Sequence, residues 1–347
     1  MNPKKKPSIQ KQGAVTLKAV ANSLGLTAGT VSVVLNNSKS ASSIPEHTRN
    51  RILEAARKLK YRPNFVARSL RVKRTFTVGV ITEEFGDAYG GGVLSGIETY
   101  LRENNYFLLA VAHRHDLRLQ QSYAELLTSR GVEGLITIDT SVDDPPLVPT
   151  IAVAGHKRVE NVTNIILDHR TAAELALKHL KELGHRRIAF LRGQEKSSDS
   201  ATRWEALREV AIELGIDLIP ELVLQIEGTD STPDLGYPYG KRLMETNIPF
   251  TALMAYNDIS AIGAMKAFKD AHLRVPQDVS IVGFDDISIA SFSIPPLTTI
   301  RQPLKEMGRI AAKTVVGLIE QQEDYVEEIA VEPKLIARGS TAPPRQL

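Results

Sequence analysis

Residues 16–36, TLKAVANSLGLTAGTVSVVLN, hold the side chains whose types and spacing point most directly to chemistry. Ala28, Gly29 and Ser32 fall on one face of a short helix opened by Thr27. Small groups on such a face meet thymine methyls and bring backbone amides to phosphates, so the chemistry is groove recognition. Catalytic patterns do not emerge elsewhere. His113, His115, His156, His169, His179 and His185 fit no compact metal spacing, and the histidine of LGHRR is more simply a helix-end residue. The acidic pairs Glu83-Glu84 and Asp143-Asp144 have no nucleophile pattern beside them, and GGG at 90–92 matches neither a P-loop nor a dinucleotide fingerprint. No catalytic residue, metal ligand or cofactor is expected, and the chain is not read as an enzyme.

The elements that must position the groove face are short helices. The spacing predicts one from Leu17 to Leu24 capped by Thr16, and a second from Ala28 to Asn36 capped by Thr27. Gly25 supplies the turn between them, Ala21 is small where they touch, and Val20, Leu24, Leu26, Val31 and Val34 supply a shared seam. That is the build of a helix-turn-helix. A third helix begins at Pro45-Glu46 and places Ile52, Ala55, Ala56 and Leu59 in a covering stripe. Charge agrees with this reading. Residues 1–76 hold sixteen Lys or Arg against Glu46 and Glu54, a net +14, while the remainder holds 27 basic and 38 acidic residues, a net −11. A basic head attracts the phosphate backbone and an acidic body discourages it. The chain has no cysteine, so disulfides and thiolate sites are excluded. No apolar run follows the basic N-terminus and none approaches a membrane span, so a cytoplasmic protein without a membrane partner is expected.

TLKAVANSLGLTAGTVSVVLN, YRPNFVARSL, TVGVI, LKELGHRRIAFLRG, MAYNDISAIGAMKA, RVPQDVSIVGFDD and PPLTTIRQP, in that order over residues 16 to about 340, resemble the LacI/GalR family of bacterial transcriptional regulators. The linker ARSLRV is most similar to the purine-repressor branch. The resemblance implies DNA contacts from Thr16, Thr27, Ala28, Gly29, Thr30, Ser32, Val33 and Asn36. It also implies a hinge helix using Asn64, Ala67, Arg68, Leu70 and Arg71, with Leu70 wedged into the minor groove at the operator centre. Val33 stands where Arg, His or Leu is common in the family, so the reading face is sparse in base-contacting groups.

From Thr77 short apolar strands alternate with amphipathic helices: TVGVI, FLLAVA, GLITI, RIAFL, LVLQI, ALMAY and VSIVGF are the strands. This predicts an α/β fold, an all-α head followed by two doubly wound parallel-sheet subdomains with a cleft between them. The resemblance implies a periplasmic-binding-protein-like body whose chain crosses between subdomains three times. The expected divisions are a basic tail over 1–14, the helix-turn-helix domain over 15–62, the hinge and linker over 63–76, and the body over 77–342. Within the body one subdomain is expected at about 77–163 plus 299–325 and the other at 164–298 plus 326–342.

By motif position the resemblance implies Tyr89, Arg203, Ser231, Asn257 and Asp285 as ligand-binding residues. Arg203 offers a planar fork, Asp285 accepts paired donors such as sugar hydroxyls or an amine, and Asn257 does both. From spacing alone each has another reading: Arg203 as a helix-surface residue, Asn257 and Asp258 as a helix cap, and Asp285-Asp286 as a turn. Gly90 replaces an aromatic of some relatives, Trp204 and Ala206 stand where smaller residues are usual, and Ser231 replaces a stacking aromatic. The expected function is a homodimeric repressor on palindromic double-stranded DNA, modulated by a small-molecule effector, a sugar or sugar derivative. A nucleobase corepressor, or a solute-binding protein without a regulatory role, is the alternative. The C-terminus lacks leucine heptads, so a four-copy assembly is not expected.

Overall fold

The computed structural model describes residues 15–36, 39–62, 69–70, 72–142, 146–155, 157–195, 197, 199–228 and 232–345. They form two compact units, residues 1–74 and 75–347.

In the first unit, α1 (Leu17–Leu24) opens where Thr16 sits in extended backbone and its hydroxyl accepts the Ala19 N–H at 3.2 Å. It closes at Gly25, whose φ of 65° is the left-handed conformation a side chain resists. Thr27 repeats the first device for α2 (Ala28–Leu35), accepting from Thr30 N–H at 3.1 Å. The axes of these two helices turn by 111°, within the range of a helix-turn-helix. Helices of eight residues are marginal alone in water. Here Val20, Ala21, Val31 and Val34 are buried against Ile52 and Ala56 of α3 (Glu46–Lys58), with Leu24 and Leu26 packed at the margin. Each large side chain so buried contributes roughly 1.5–3 kcal/mol. Leu59, expected in the covering stripe, is 36% exposed because it lies past the last turn as the C-cap.

The second unit contains two six-stranded sheets. The first has the order β11-β5-β4-β3-β1-β2 and is parallel throughout: β1 (Thr77–Thr82), β2 (Phe107–Ala112), β3 (Gly134–Ile138), β4 (Thr150–Val153), β5 (Val162–Leu167) and β11 (Glu328–Val331). The second has the order β12-β10-β9-β8-β6-β7, with β6 (Ile188–Arg192), β7 (Val223–Gln225), β8 (Ala252–Met254), β9 (Ser280–Asp285) and β10 (Thr298–Arg301) parallel and β12 (Lys334–Ile336) antiparallel. Helices cover both faces, so strand residues divide by parity: Ile188 and Phe190 join one core cluster while Ala189 and Leu191 join another.

The helices of this unit are α4 (Ala88–Glu103), α5 (Leu117–Ser129), α6 (His169–Glu182), α7 (Ser200–Glu213), α8 (Tyr237–Glu245), α9 (Asp258–Asp270) and α10 (Leu304–Ile319). Helices α4 and α10 meet backbone to backbone. A Cβ on Gly96 would fall 1.9 Å from the Lys305 carbonyl oxygen, and one on Gly308 2.0 Å from that of Val93.

The chain passes between sheets after β5, after β10 and between β11 and β12, three crossings as the resemblance implies. The subdomain boundaries differ from those expected. Strand β5 extends the first segment to 167, β10 keeps 298–301 in the second sheet, and β11 returns 328–331 to the first. These strands are short or buried on both faces, so they lack the alternation that marks a strand in sequence.

Candidate nucleic-acid interface and effector cleft

The surface of α2 is built from small groups. Gly29 is exposed, while Ala28, Thr30, Val33 and Asn36 are half-buried. The Thr27 and Thr30 hydroxyls lie 2.9 Å apart at the N-terminus of the helix. Ser32 corrects the expected groove face: it is 6% exposed. The Asn36 amide donates to its carbonyl at 2.7 Å and to its hydroxyl at 3.1 Å, one helical turn on. Gly29 is not required by packing, because an added Cβ would meet only Thr27 Oγ1 at 3.7 Å. Of the expected hinge residues, Asn64, Ala67, Arg68 and Arg71 lie outside the described residues. Leu70 is described, in helical backbone and 77% exposed.

The body holds a cavity of about 430 Å³ at the carboxyl ends of strands from both sheets, where open parallel sheets bind ligands. Tyr89, Arg203, Asn257 and Asp285 all line it. Ser231 lies outside the described residues.

Each of the four is positioned by a local device. Asp87 caps α4, accepting the Tyr89 and Gly90 N–H groups at 3.2 and 2.6 Å, and so sets Tyr89 on the first turn. Its phenol oxygen is buried without a hydrogen-bond partner. Burial, with Asp199, Asp139 and Asp285 nearby, pushes that phenol well above its ordinary range. Asn257 both lines the cavity and caps α9. Its side chain accepts Ser260 N–H at 2.9 Å while Ser260 Oγ accepts Asn257 N–H at 3.1 Å, a reciprocal capping box. Asp285 ends β9 with φ 107°, a backbone region costly for a side chain and frequent at binding sites. It is 6% exposed and accepts Gln302 Nε2 at 2.7 Å. Burial pushes its carboxyl well above the usual range, opposed by the charge of Arg203.

Arg203 is not the open fork the resemblance implied. It is 4% exposed, its Nη1 donates to the Tyr256 carbonyl at 2.7 Å, and its Nη2 is bound to Asp199. Asp199 in turn lies 2.7 Å from His169 Nε2 at the start of α6. The guanidinium lies 3.9 Å from the centroid of the Phe284 ring and 4.6 Å from that of Tyr256. Burial would lower its pKa, but Asp199, Tyr256 and Asp285 outweigh that and hold it raised. Its Nε remains without a partner. Arg203 is therefore a fixed, enclosed cation in the cavity wall.

Sequence reasoning missed Asp199 and Tyr256, which complete this arginine's cage, and Glu83, Asp87 and Asp139, which line the opposite wall. The available signal was position: Glu83 follows β1 and Asp139 follows β3 directly. Burial and the neighbouring Asp139, Asp87 and Glu84 push Glu83 up to about 8, and it lies 3.2 Å from His115 Nδ1.

Residues 16–64 match the bacterial regulatory proteins of the lacI family, and residues 177–341 match a periplasmic binding protein-like domain. The HTH-type transcriptional repressor PurR of Haemophilus influenzae is 32% identical over 337 residues, covering 94% of this chain and 98% of that one. The ribose operon repressor of the same species is 28% identical over 331 residues, with the same coverage of each. The lac repressor dimer bound to operator and the anti-inducer ONPF matches with a TM-score of 0.83 at 26% identity, covering 95% of this chain and 100% of that one. A LacI family regulator from Enterococcus faecium with bound ribose matches at 0.68 and 27% identity, covering 77% and 99%.

Proposed function

The chain belongs to the LacI family of bacterial regulatory proteins, and from that premise we propose how its two units divide the work. It is a DNA-binding transcriptional repressor with a small-molecule effector. In our reading two copies pair and place two heads on a palindromic operator. Helix α2 enters the major groove and uses the small face of Ala28, Gly29 and Val33. The exposed Leu70 supplies an apolar wedge for the minor groove, with deformation of the duplex offset by added contacts. An effector in the cleft engages both sheets, and its differential affinity for their arrangements sets the population of DNA-competent dimers.

The observation that carries the effector's class is the cleft lining. Asp285 and Asn257 supply groups that pair with hydroxyls beside the enclosed cation of Arg203, while the aromatic lining is confined, among the described residues, to Tyr89 and Tyr256. This favours a sugar or sugar derivative over a stacked base. The 32% identity to PurR repressors favours the second reading, a nucleobase corepressor.

Calorimetry on the full chain decides between them, with ribose, glucose and galactose set against hypoxanthine and guanine. One sugar is expected to bind and to change operator affinity by about 5–150-fold. Asp285→Asn, which tolerates the same backbone, should weaken that sugar at least about tenfold. Binding of a purine alone would replace the sugar reading.

A further inference from the structure

The chain enters the second unit, which begins at Thr75, through a strained junction. Lys73 and Phe76 both have left-handed backbone, with φ of 53° and 48°. For a bulky aromatic such a φ is an outlier, and it persists only where surrounding contacts over-determine it. Those contacts come from the turn that leads into β3. One carboxylate oxygen of Glu133 accepts two consecutive backbone N–H groups, that of Thr75 and, at 3.0 Å, that of Phe76. The Thr75 hydroxyl donates to the Gly131 carbonyl and lies 3.3 Å from the same Glu133 oxygen. Gly131 is itself left-handed, with φ 83°, and a Cβ there would come 3.2 Å from Thr75 Cγ2. Phe76 is also held from β2: its carbonyl accepts the Phe107 N–H at 2.7 Å, and its ring meets Tyr106 edge-on at 5.7 Å. The β1–β3 pairing starts at Val78 and Gly134 and does not use the Glu133 side chain. That carboxylate therefore serves the residues ahead of the sheet. At their far ends the same two strands lead to the cleft, where Glu83 follows β1 and Asp139 follows β3.

We propose that Glu133 is a positioning residue for DNA recognition: it latches the base of the linker to the turn before β3 and fixes how the chain leaves the body. This rests on the reading that the linker orders on the operator, and it names what holds the linker's fixed end. Non-specific binding draws on phosphate charge and needs no ordered linker. Specific binding must order it, and each residue ordered at that moment costs backbone entropy. With the latch closed, Thr75 and Phe76 are ordered before DNA arrives. With it open, they are ordered only on DNA, and Phe76 must be forced back to its left-handed φ. Because latch and cleft stand at opposite ends of the same strands, a rearrangement at the cleft reaches the linker through rigid elements and not through a slack tether.

The test uses full-length variants on two DNAs: a duplex selected from a random pool by the unaltered chain, and an unrelated duplex of equal length. Glu133→Ala is expected to weaken binding to the selected duplex at least about tenfold, while binding to unrelated DNA at low salt stays within about twofold. Glu133→Gln, whose carbonyl still accepts both N–H groups, should keep most of the affinity. Hydrogen exchange over residues 74–78 should quicken in the alanine variant while the body's melting temperature stays nearly unchanged. A purely structural role would instead lower the melt and spare the ratio of the two DNA affinities. Thr75→Val keeps the side chain's shape and removes its hydroxyl bonds, so it serves if the alanine variant does not fold. It should lose affinity in the same selective way, and unchanged selectivity there overturns the latch. Unchanged binding in a folded Glu133→Ala, or equal loss on both DNAs, overturns it too. Leu70→Ala separates the two readings. Selective loss at Leu70 with none at Glu133 leaves the ordered linker standing without the latch, and no selective loss at either position overturns both.

Discussion

The head and the body satisfy their polar groups over different distances along the chain. In the head, Thr16 and Thr27 bond backbone three residues away, and Asn36 bonds four residues back. In the body, His169 meets Asp199 across 30 residues, Arg203 meets the Tyr256 carbonyl across 53, and Thr299 meets the buried Asp258 across 41. The head is thus assembled from local rules around a small apolar core, and the cleft from long-range contacts among buried charges. A head of the first kind can hold its shape while the second kind of site is rearranged by a ligand. The two are separate compact units, consistent with that division.

The contrast is broken most forcefully at Arg203. Arg203→Ala leaves Asp199 buried without its guanidinium partner, so the body should lose about 3–5 kcal/mol. Urea denaturation followed by Trp204 fluorescence reads this directly. Gel shifts without effector should change little, and an equal collapse of DNA binding would show that the units are not independent.

Leu70→Ala is the converse test. It should weaken specific operator binding about 10–100-fold, while non-specific binding at low salt stays nearly intact. Equal loss on both DNAs would remove the wedge.

Acid sharpens the difference in stability. Burial lowers the pKa of His113, His179 and His185. They stay neutral in the folded body and take up protons more readily once unfolded, so the stability they confer is present above their ordinary value of 6.5 and is lost as pH falls below it. The raised carboxyls of Glu83 and Asp285 act in the opposite sense, so the histidine contribution is read as a difference: in thermal melts from pH 7.5 to 5, His185→Gln should lose less stability, or gain more, on acidification than the unaltered chain.

The smallest effect is expected at Gly29→Ala. The Cβ is accommodated, so the head should keep or gain stability, by up to about 1 kcal/mol. A change in operator preference with no change in melting would assign the glycine to the groove.

Legibility in sequence follows the same division. Residues 17–24 and 28–35 could be bounded almost to the residue because Thr16, Gly25 and Thr27 each state a local backbone requirement. The sheet membership of β5, β10 and β11 could not, because it depends on partners far along the chain. Tyr89, Asn257 and Asp285 reached the cleft through motif resemblance and strand-end position. Arg203 was located without its cage, since nothing near SATRW in sequence announces Tyr256 or Phe284. Ser32 was misplaced because helical spacing gives a face and not what packs on it.

Two of the bonds that hold the cleft end at places where the chain changes sheets. His169, which holds Asp199 beside Arg203, follows the first crossing by a single residue, and Gln302, which holds Asp285, sits at the second. The first and third crossings are themselves joined, Asp168 N–H to the Val331 carbonyl at 3.0 Å. The pivot and the recognition groups therefore share parts. In the proposed mechanism a ligand that tugs on Arg203 or Asp285 would load the axle of the body at its bearings, and no separate drive train would be required to turn occupancy into rotation.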